Sequence, residues 1–335
     1  MVDKIFLRGG RLAASLLVFA AVSGTALAQD RGDWPSSVTV GTASQGGTYF
    51  IYGAGWAGLV QEVLGIATST EATGGPVQNM ALVQSGDLDF GMVTMGPAYD
   101  GWIGESEIAP GFEMRDVRAM FPMYETPFQI IALQRSGITS TADLDGRRVG
   151  VGPRGGTPGT YFPRFFEQLG VNVNVQYGGA SDLAGQLQDG LLDAFAFAAG
   201  IPISAFSQVE AQNPAVIFTF SDEEREQLLE ANPSIAPFLV PAGTYQSQSE
   251  DQTTVSMWNF AIAHKDVPES LVYEIMRVVL ENNDRMMTIH ATAAETLVEN
   301  WDKNGFLPFH AGAVRYLQDQ GIEVPAELIP EEYEG

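Results

Sequence analysis

Cysteine is absent from the 335 residues. That removes disulfides, thiolate zinc sites, iron–sulfur clusters and cysteine nucleophiles together. Histidine is scarce: His264, His290 and His310 are the three, and none lies within five residues of another. Metal sites built on histidine need closer spacing or further ligands, so no metal and no cofactor is expected. Basic charge is the third shortage, since 17 Lys and Arg face 41 Asp and Glu, a formal charge of −24. Such a surface repels nucleic-acid phosphates and an anionic membrane face, which excludes both as partners. No Gly-x-Ser-x-Gly elbow and no Gly-Lys-Ser/Thr phosphate loop occurs, so neither a serine hydrolase nor a P-loop protein is indicated.

What is present suffices for folding. Apolar residues make up 45%, mean hydropathy is +0.02, and there are 37 Gly and 18 Pro. This is the composition of a loop-rich globule long enough for two domains. Residues 1–28 stand apart. Lys4, Arg8 and Arg11 precede a short apolar run over residues 12–21, and Ala26-Leu27-Ala28 supplies small residues for cleavage. The pattern is that of an export signal removed after Ala28. The mature chain then holds 14 basic and 40 acidic residues, a charge of −26, with Lys265 and Lys303 its two lysines. No Cys follows the cleavage site to carry a lipid, so a free periplasmic protein is expected.

The chain is written twice. Gly46-Gly47-Thr48 follows the strand-like Val38-Thr39-Val40, and Trp56, Leu59, Val60, Val63 and Leu64 then mark one helix face. Later, Val149-Gly150-Val151 leads into Gly155-Gly156-Thr157, with Phe162, Phe165, Phe166 and Leu169 at the same spacing and Gly170 as the stop. A second echo is tighter. Gly74, Gly75, Gln84, Gly86, Leu88 and Asp89 recur at one constant offset as Gly178, Gly179, Gln188, Gly190, Leu192 and Asp193. Two α/β lobes are predicted, each ordered strand, Gly loop, helix, strand, Gly loop, helix, strand.

In open α/β sheets, ligands sit outside the carboxyl ends of the strands. Here those ends carry glycine loops that run into helix N-termini, whose unpaired N–H groups favour an anion. Four such loops, two per lobe, at Gly46-Gly47, Gly74-Gly75, Gly155-Gly156 and Gly178-Gly179, are expected to converge on one cleft. Thr48 and Thr157 add hydroxyls, Tyr49 and Tyr52 add a polar tip on an apolar body, and Arg154 is a candidate carboxylate clamp. Gly150-Val151-Gly152-Pro153-Arg154-Gly155 also matches a dinucleotide fingerprint, but the next strand, expected over residues 171–177, ends without the acid that holds a ribose.

At these residues the sequence resembles the TAXI group of solute receptors, the periplasmic subunits of one branch of TRAP transporters. The resemblance covers nearly the whole mature chain. It is carried by Gly46-Gly47-Thr48-Tyr49, Thr73-Gly74-Gly75-Pro76-Val77-Gln78-Asn79, Ser85-Gly86-Asp87-Leu88-Asp89, Pro241-Ala242-Gly243-Thr244-Tyr245, and the run from Leu307 through Pro308-Phe309-His310 to Tyr316. It implies an α/β, type II-like periplasmic-binding fold of two lobes joined by two hinge-crossing strands. It also implies a monomer that binds a small organic anion, such as glutamate, 2-oxoglutarate or another carboxylate, and delivers it to a TRAP membrane subunit without chemistry. Asn79 and Thr94 join the site on this ground. The chain departs from the family pattern at Gly155-Gly156-Thr157-Pro158-Gly159-Thr160 and at Thr94-Met95-Gly96. The crossings are expected near residues 124–128 and 254–259. That gives a first lobe over 29–126, a second over 127–255, and a return to the first over 256–335, with residues 331–335 a frayed acidic tail. An ABC-importer binding protein, a ligand sensor and an exported enzyme are the rival readings.

Overall fold

The computed structural model describes residues 31–335, and the leader expected over residues 1–28 lies outside them. Val38 and Val40 turn inward from β1 (Ser37–Gly41). Then follow α1 (Thr48–Leu64), β2 (Ala67–Glu71), α2 (Pro76–Gln84), β3 (Phe90–Thr94), α3 (Met95–Trp102) and the long β4 (Val117–Leu133). The pattern then restarts with β5 (Arg148–Gly150), α4 (Thr157–Gln168), β6 (Asn174–Gln176), α5 (Ala180–Gln188) and β7 (Ala194–Ala198). The chain continues through α6 (Ser204–Gln212), β8 (Ala215–Phe218), α7 (Asp222–Ala231), β9 (Ala236–Val240) and the long β10 (Gln252–His264). It closes with α8 (Glu269–Glu281), α9 (Asn283–Ile289) and α10 (Ala311–Asp319).

Both lobes use one strand order. β1 pairs in parallel with β2 and β3, and β10 then adds antiparallel to β3 with β4 outside it. In the second lobe β5 pairs in parallel with β6 and β7, and β4 adds antiparallel to β7 with β8 outside it. β4 and β10 therefore each run through both lobes, and they pair with each other where Glu125, Thr126 and Pro127 face Trp258, Met257 and Ser256. The first core gathers Trp56, Phe90, Phe121 and Phe260. The second sheet is packed on both faces, by Phe128, Phe162, Phe165 and Phe166 on one and by Leu183, Phe195 and Phe206 on the other.

The repeated turn has a plain physical reason. Gly86 and Gly190 both take φ +75°, where a side chain is disfavoured. Leu88 and Leu192 press so close under Gly41 and Gly150 that a Cβ there would lie 2.6 and 2.8 Å from their methyls. Asp89 then accepts the Thr39 N–H at 2.7 Å, and Asp193 accepts the Arg148 N–H at 2.8 Å. Each turn thus clamps the first strand of its lobe.

Two expectations are corrected. The strand over residues 171–177 shrinks to Asn174–Gln176, because the segment is a half-exposed sheet edge whose only ladder partner, β5, is itself three residues long. The acidic tail is tied down rather than frayed. Arg118 reaches both carboxylate oxygens of Glu332, at 2.6 and 3.0 Å, and the Tyr333 hydroxyl donates to Gln318 at 2.7 Å. Burial opposes ionisation of Glu332, yet the hydrogen bond and charge of Arg118 win and hold its carboxyl below the usual range.

Two carboxylates stand at the crossing. Ser256 on β10 donates to Glu125 on β4 at 2.6 Å, and the Glu125 N–H donates to Glu295 at 2.6 Å. Burial, with Glu125's charge adding to it, lifts Glu295 to about 7 against the hydrogen bond that favours its ionised form. A raised folded pKa stabilises fully below the unfolded value of 4.5 and loses that stabilisation as pH rises through 7. Glu295→Gln keeps the acceptor and removes the charge. Chemical denaturation should find it more stable than the parent by about 2 kcal/mol at pH 8, given ~1.4 kcal/mol per pKa unit less some solvent screening, and nearly equal at pH 4.5.

Candidate functional site

Residues beyond β1 (Ala43, Ser44), at the end of β3 (Thr94), beyond β5 (Pro153) and at the end of β7 (Phe197, Ala198, Ala199) line one cavity of about 390 Å3 with its mouth included. Thr126 on the crossing strand β4 lines it too. So do Gly47, Thr48 and Tyr49 at the start of α1, and Gly156, Thr157 and Pro158 at the start of α4. The two starts are near copies: Gly47 has φ −93° and ψ 158°, Gly156 has φ −108° and ψ 153°, and no side chain caps either helix. Two first turns from opposite lobes thus face one space with uncapped N-termini.

The other two loops do something else. The Gly155 carbonyl accepts the Val77 N–H at 2.9 Å and the Gln78 N–H at 3.3 Å, so the N-terminus of α2 is satisfied by the opposite lobe. Reciprocally, at the N-terminus of α5, the Ala180 N–H donates to the Ser44 hydroxyl at 3.2 Å and the Ser181 N–H to the Gln45 carbonyl at 3.1 Å. Of the four glycine loops expected at the cleft, three line the cavity, through Gly47, Gly74, Gly75 and Gly156, and Gly178-Gly179 does not. Gly75 shows why glycine is needed. Its φ is +115°, and a Cβ on it would lie 3.2 Å from the Gly156 Cα across the lobe boundary. Further bonds cross beside it: Thr48 donates to the Gly200 carbonyl at 2.6 Å, and the Thr94 and Thr157 hydroxyls share a hydrogen bond.

Of the residues singled out in the sequence, the structure brings together Gly47, Thr48, Tyr49, Gly74, Gly75, Thr94, Gly156 and Thr157. Five others fall outside the lining, each for a visible reason. Arg154 is exposed and its guanidinium stacks 3.8 Å over the Tyr177 ring, away from the lining. Tyr52 is core: its hydroxyl meets Thr296 at 2.8 Å and its ring packs edge-on against Tyr124. Asn79 is a buried staple whose amide donates to the Gly41, Thr42 and Met92 carbonyls at 3.3, 2.9 and 2.9 Å. Gly46 and Gly155 carry inter-lobe contacts, the Gly46 carbonyl accepting the Ala205 N–H at 3.1 Å. Sequence reasoning missed Ser44, Thr126, Pro153, Pro158 and Phe197–Ala199. The strand-end rule was signal enough for the last group, because each lobe was expected to close on a third strand, which in the second lobe ends at Ala198.

Chemically the cavity is uncharged. Among the described residues no Asp, Glu, Lys, Arg or His lines it. Its one titratable side chain, Tyr49, donates to Asn259 Oδ1 at 2.6 Å, and burial together with neighbouring Tyr52 pushes its pKa far up, so it stays neutral. No group of three His, Asp or Glu among the described residues is placed to hold a metal. The histidines are structural. In each of the three, Nδ1 accepts the N–H two residues on, at 3.2 Å, and burial lowers His310 to about 4. A wider groove of about 1450 Å3 lies between Tyr99 and Asp100 on one lobe and Tyr161 and Arg164 on the other. There Arg164 spans the lobes to Asp100 at 3.1 Å and Glu107 at 2.9 Å.

These placements set apart two substitutions. Arg154→Ala removes an exposed cation–π contact of ~0.5–1 kcal/mol and should shift the affinity of a cavity ligand by less than about threefold. Gly75→Ala introduces a Cβ at positive φ against Gly156 and should weaken binding at least about tenfold. Calorimetry on both variants, with folding checked by circular dichroism, reads the contrast.

Solved structures share this architecture. MatC from Rhodopseudomonas palustris with bound malate matches with a TM-score of 0.56 at 14% identity, over 86% of this chain and 97% of that one. The alkanesulfonate-binding protein SsuA from Xanthomonas axonopodis pv. citri, bound to MOPS, matches with a TM-score of 0.51 at 14% identity, over 85% and 84%. An ABC uptake transporter substrate binding protein from Streptococcus pneumoniae with bound histidine matches with a TM-score of 0.51 at 15% identity, over 78% and 94%. At these identities the likeness is one of fold. In sequence, a model of the NMT1-like family matches residues 40–321. Because that match runs from within β1 to just past α10, the chain belongs to the NMT1-like family, and its fold is the two-lobed, type II-like fold of periplasmic solute-binding proteins.

Proposed function

We propose that this chain is a periplasmic solute receptor of the TAXI type. It traps a small organic anion between its lobes and hands it unchanged to a TRAP membrane subunit. The observation that carries the reading is a cavity lined from both lobes at the uncapped starts of α1 and α4. Two lobes on a pair of crossing strands are a hinge, and a ligand held by both stabilises the closed form. Export fits the leader pattern of residues 1–28.

A second reading keeps the receptor and changes the transporter. The likeness to an ABC uptake transporter's binding protein favours it. Reconstituting the receptor with its membrane subunit in liposomes separates the two. Uptake driven by an ion gradient without ATP is the outcome expected for TRAP, and uptake that requires ATP assigns the ABC reading.

Closure has its own test. Saturating ligand should raise the melting temperature, since it binds the folded and not the unfolded chain. Small-angle scattering should show the radius of gyration falling on ligand addition. An unchanged radius with proven binding would remove the clamshell mechanism.

A further inference from the structure

We infer that the cavity selects a short monocarboxylate with an uncharged, apolar tail, and rejects both dicarboxylates and zwitterionic amino acids. This rests on the receptor reading above and narrows it. The charge inventory is the argument. A buried charge needs a partner, and an uncompensated one is costly. For negative charge the cavity offers uncharged donors alone, chiefly the uncapped first turns of α1 and α4 and one hydroxyl of the Thr94–Thr157 pair, the Thr48 hydroxyl being spent on the Gly200 carbonyl. The N–H groups opening α2 and α5 already bond to the opposite lobe, so they hold nothing for a second carboxylate. No arginine or lysine is at hand either, the Arg154 guanidinium being stacked on Tyr177.

The opposite sign is excluded by the same reasoning. An α-ammonium group needs a carboxylate, and the lining contains none; the end of β7 presents Ala198 and Ala199. Beside the Ser44 and Thr126 hydroxyls the wall is ring and methyl, from Phe197, Pro158 and Ala198 on one lobe and Pro76 on the other, which suits a hydrocarbon tail. The cavity is small even with its open mouth counted into the 390 Å3, so the tail is short. The field of the mature chain acts the same way. With 40 acidic against 14 basic residues, each further negative charge on a ligand is opposed again.

A matched set of small solutes tests this on the unaltered mature protein by calorimetric titration. Isovalerate carries one carboxylate, valine adds an ammonium, glutarate adds a second carboxylate, and isovaleramide removes the charge. Isovalerate should bind, with each of the other three at least about tenfold weaker. Valine, glutarate or isovaleramide binding as tightly as isovalerate would overturn the monocarboxylate class while leaving a receptor in place. If none of the four binds, the class is also wrong. A thermal-shift screen across sugars, cations and organic acids then judges the receptor reading separately, since any stabilising solute upholds it and silence across the screen removes it.

Discussion

The antiparallel pairing of β4 with β10 is the constraint on which both lobes depend. Each strand is interior to one sheet and flanking in the other: β10 fills the gap between β3 and β4 in the first lobe, and β4 fills the gap between β7 and β8 in the second. The first lobe completes its sheet only when β10 returns to it from the far end of the second. Asn259 fastens this pairing to the cavity. From β10 it donates to the Tyr124 carbonyl at 2.5 Å and to Thr126 at 2.7 Å, both on β4, and it accepts the Tyr49 hydroxyl from α1. A rotation about the crossing therefore moves a wall of the cavity directly.

The surfaces that meet across the cleft are chosen against the charge of the molecule. A strongly acidic chain has to bring two like-charged bodies together. It does so through glycine, threonine and peptide groups, which carry no net charge. The exception is Arg164, which sits between Asp100 and Glu107 of the opposite lobe. Burial alone would push Asp100 upward, and it remains raised even with Arg164 and Tyr161 favouring its ionised form. This partly exposed cluster contributes little beyond screening repulsion. The glycine loops make the contact.

Much of this was legible in the sequence because the fold repeats, and repeats show through spacing. The Gly86 and Gly190 turns recur since each must release a helix, seat a leucine under the first strand and hold that strand's N–H with an aspartate. Three local demands on neighbouring residues leave a local signature. The faces of α1 and α4 were readable for the same reason. What was not legible is which side of a loop a side chain takes. Arg154 and Pro153 are adjacent, yet one lies on Tyr177 and the other in the cavity. Asn79 sat inside a motif that invites a ligand role, but its partners are carbonyls at the end of β1 and on β3. Tyr52 follows Tyr49 by three positions, nearly one helix turn, so both lean to the same side, and only the packing of Tyr124 and Thr296 closes over the second.

The reciprocal satisfaction of α2 and α5 has a consequence for how selectivity arises. The carbonyl of Gly155 and the groups of Ser44 and Gln45 occupy helix ends that free solutes would otherwise compete for. The protein carries these substitutes on its own chain at a fixed local concentration, so part of the closed form's free energy is independent of cargo. The observed dissociation constant is the intrinsic one divided by the fraction of competent molecules. A chain that closes partly on itself keeps that fraction high and wastes little of the solute's interaction energy on moving the lobes. In exchange, the solute has less leverage over the open–closed balance, and the difference between loaded and empty receptor that a membrane partner can sense becomes smaller.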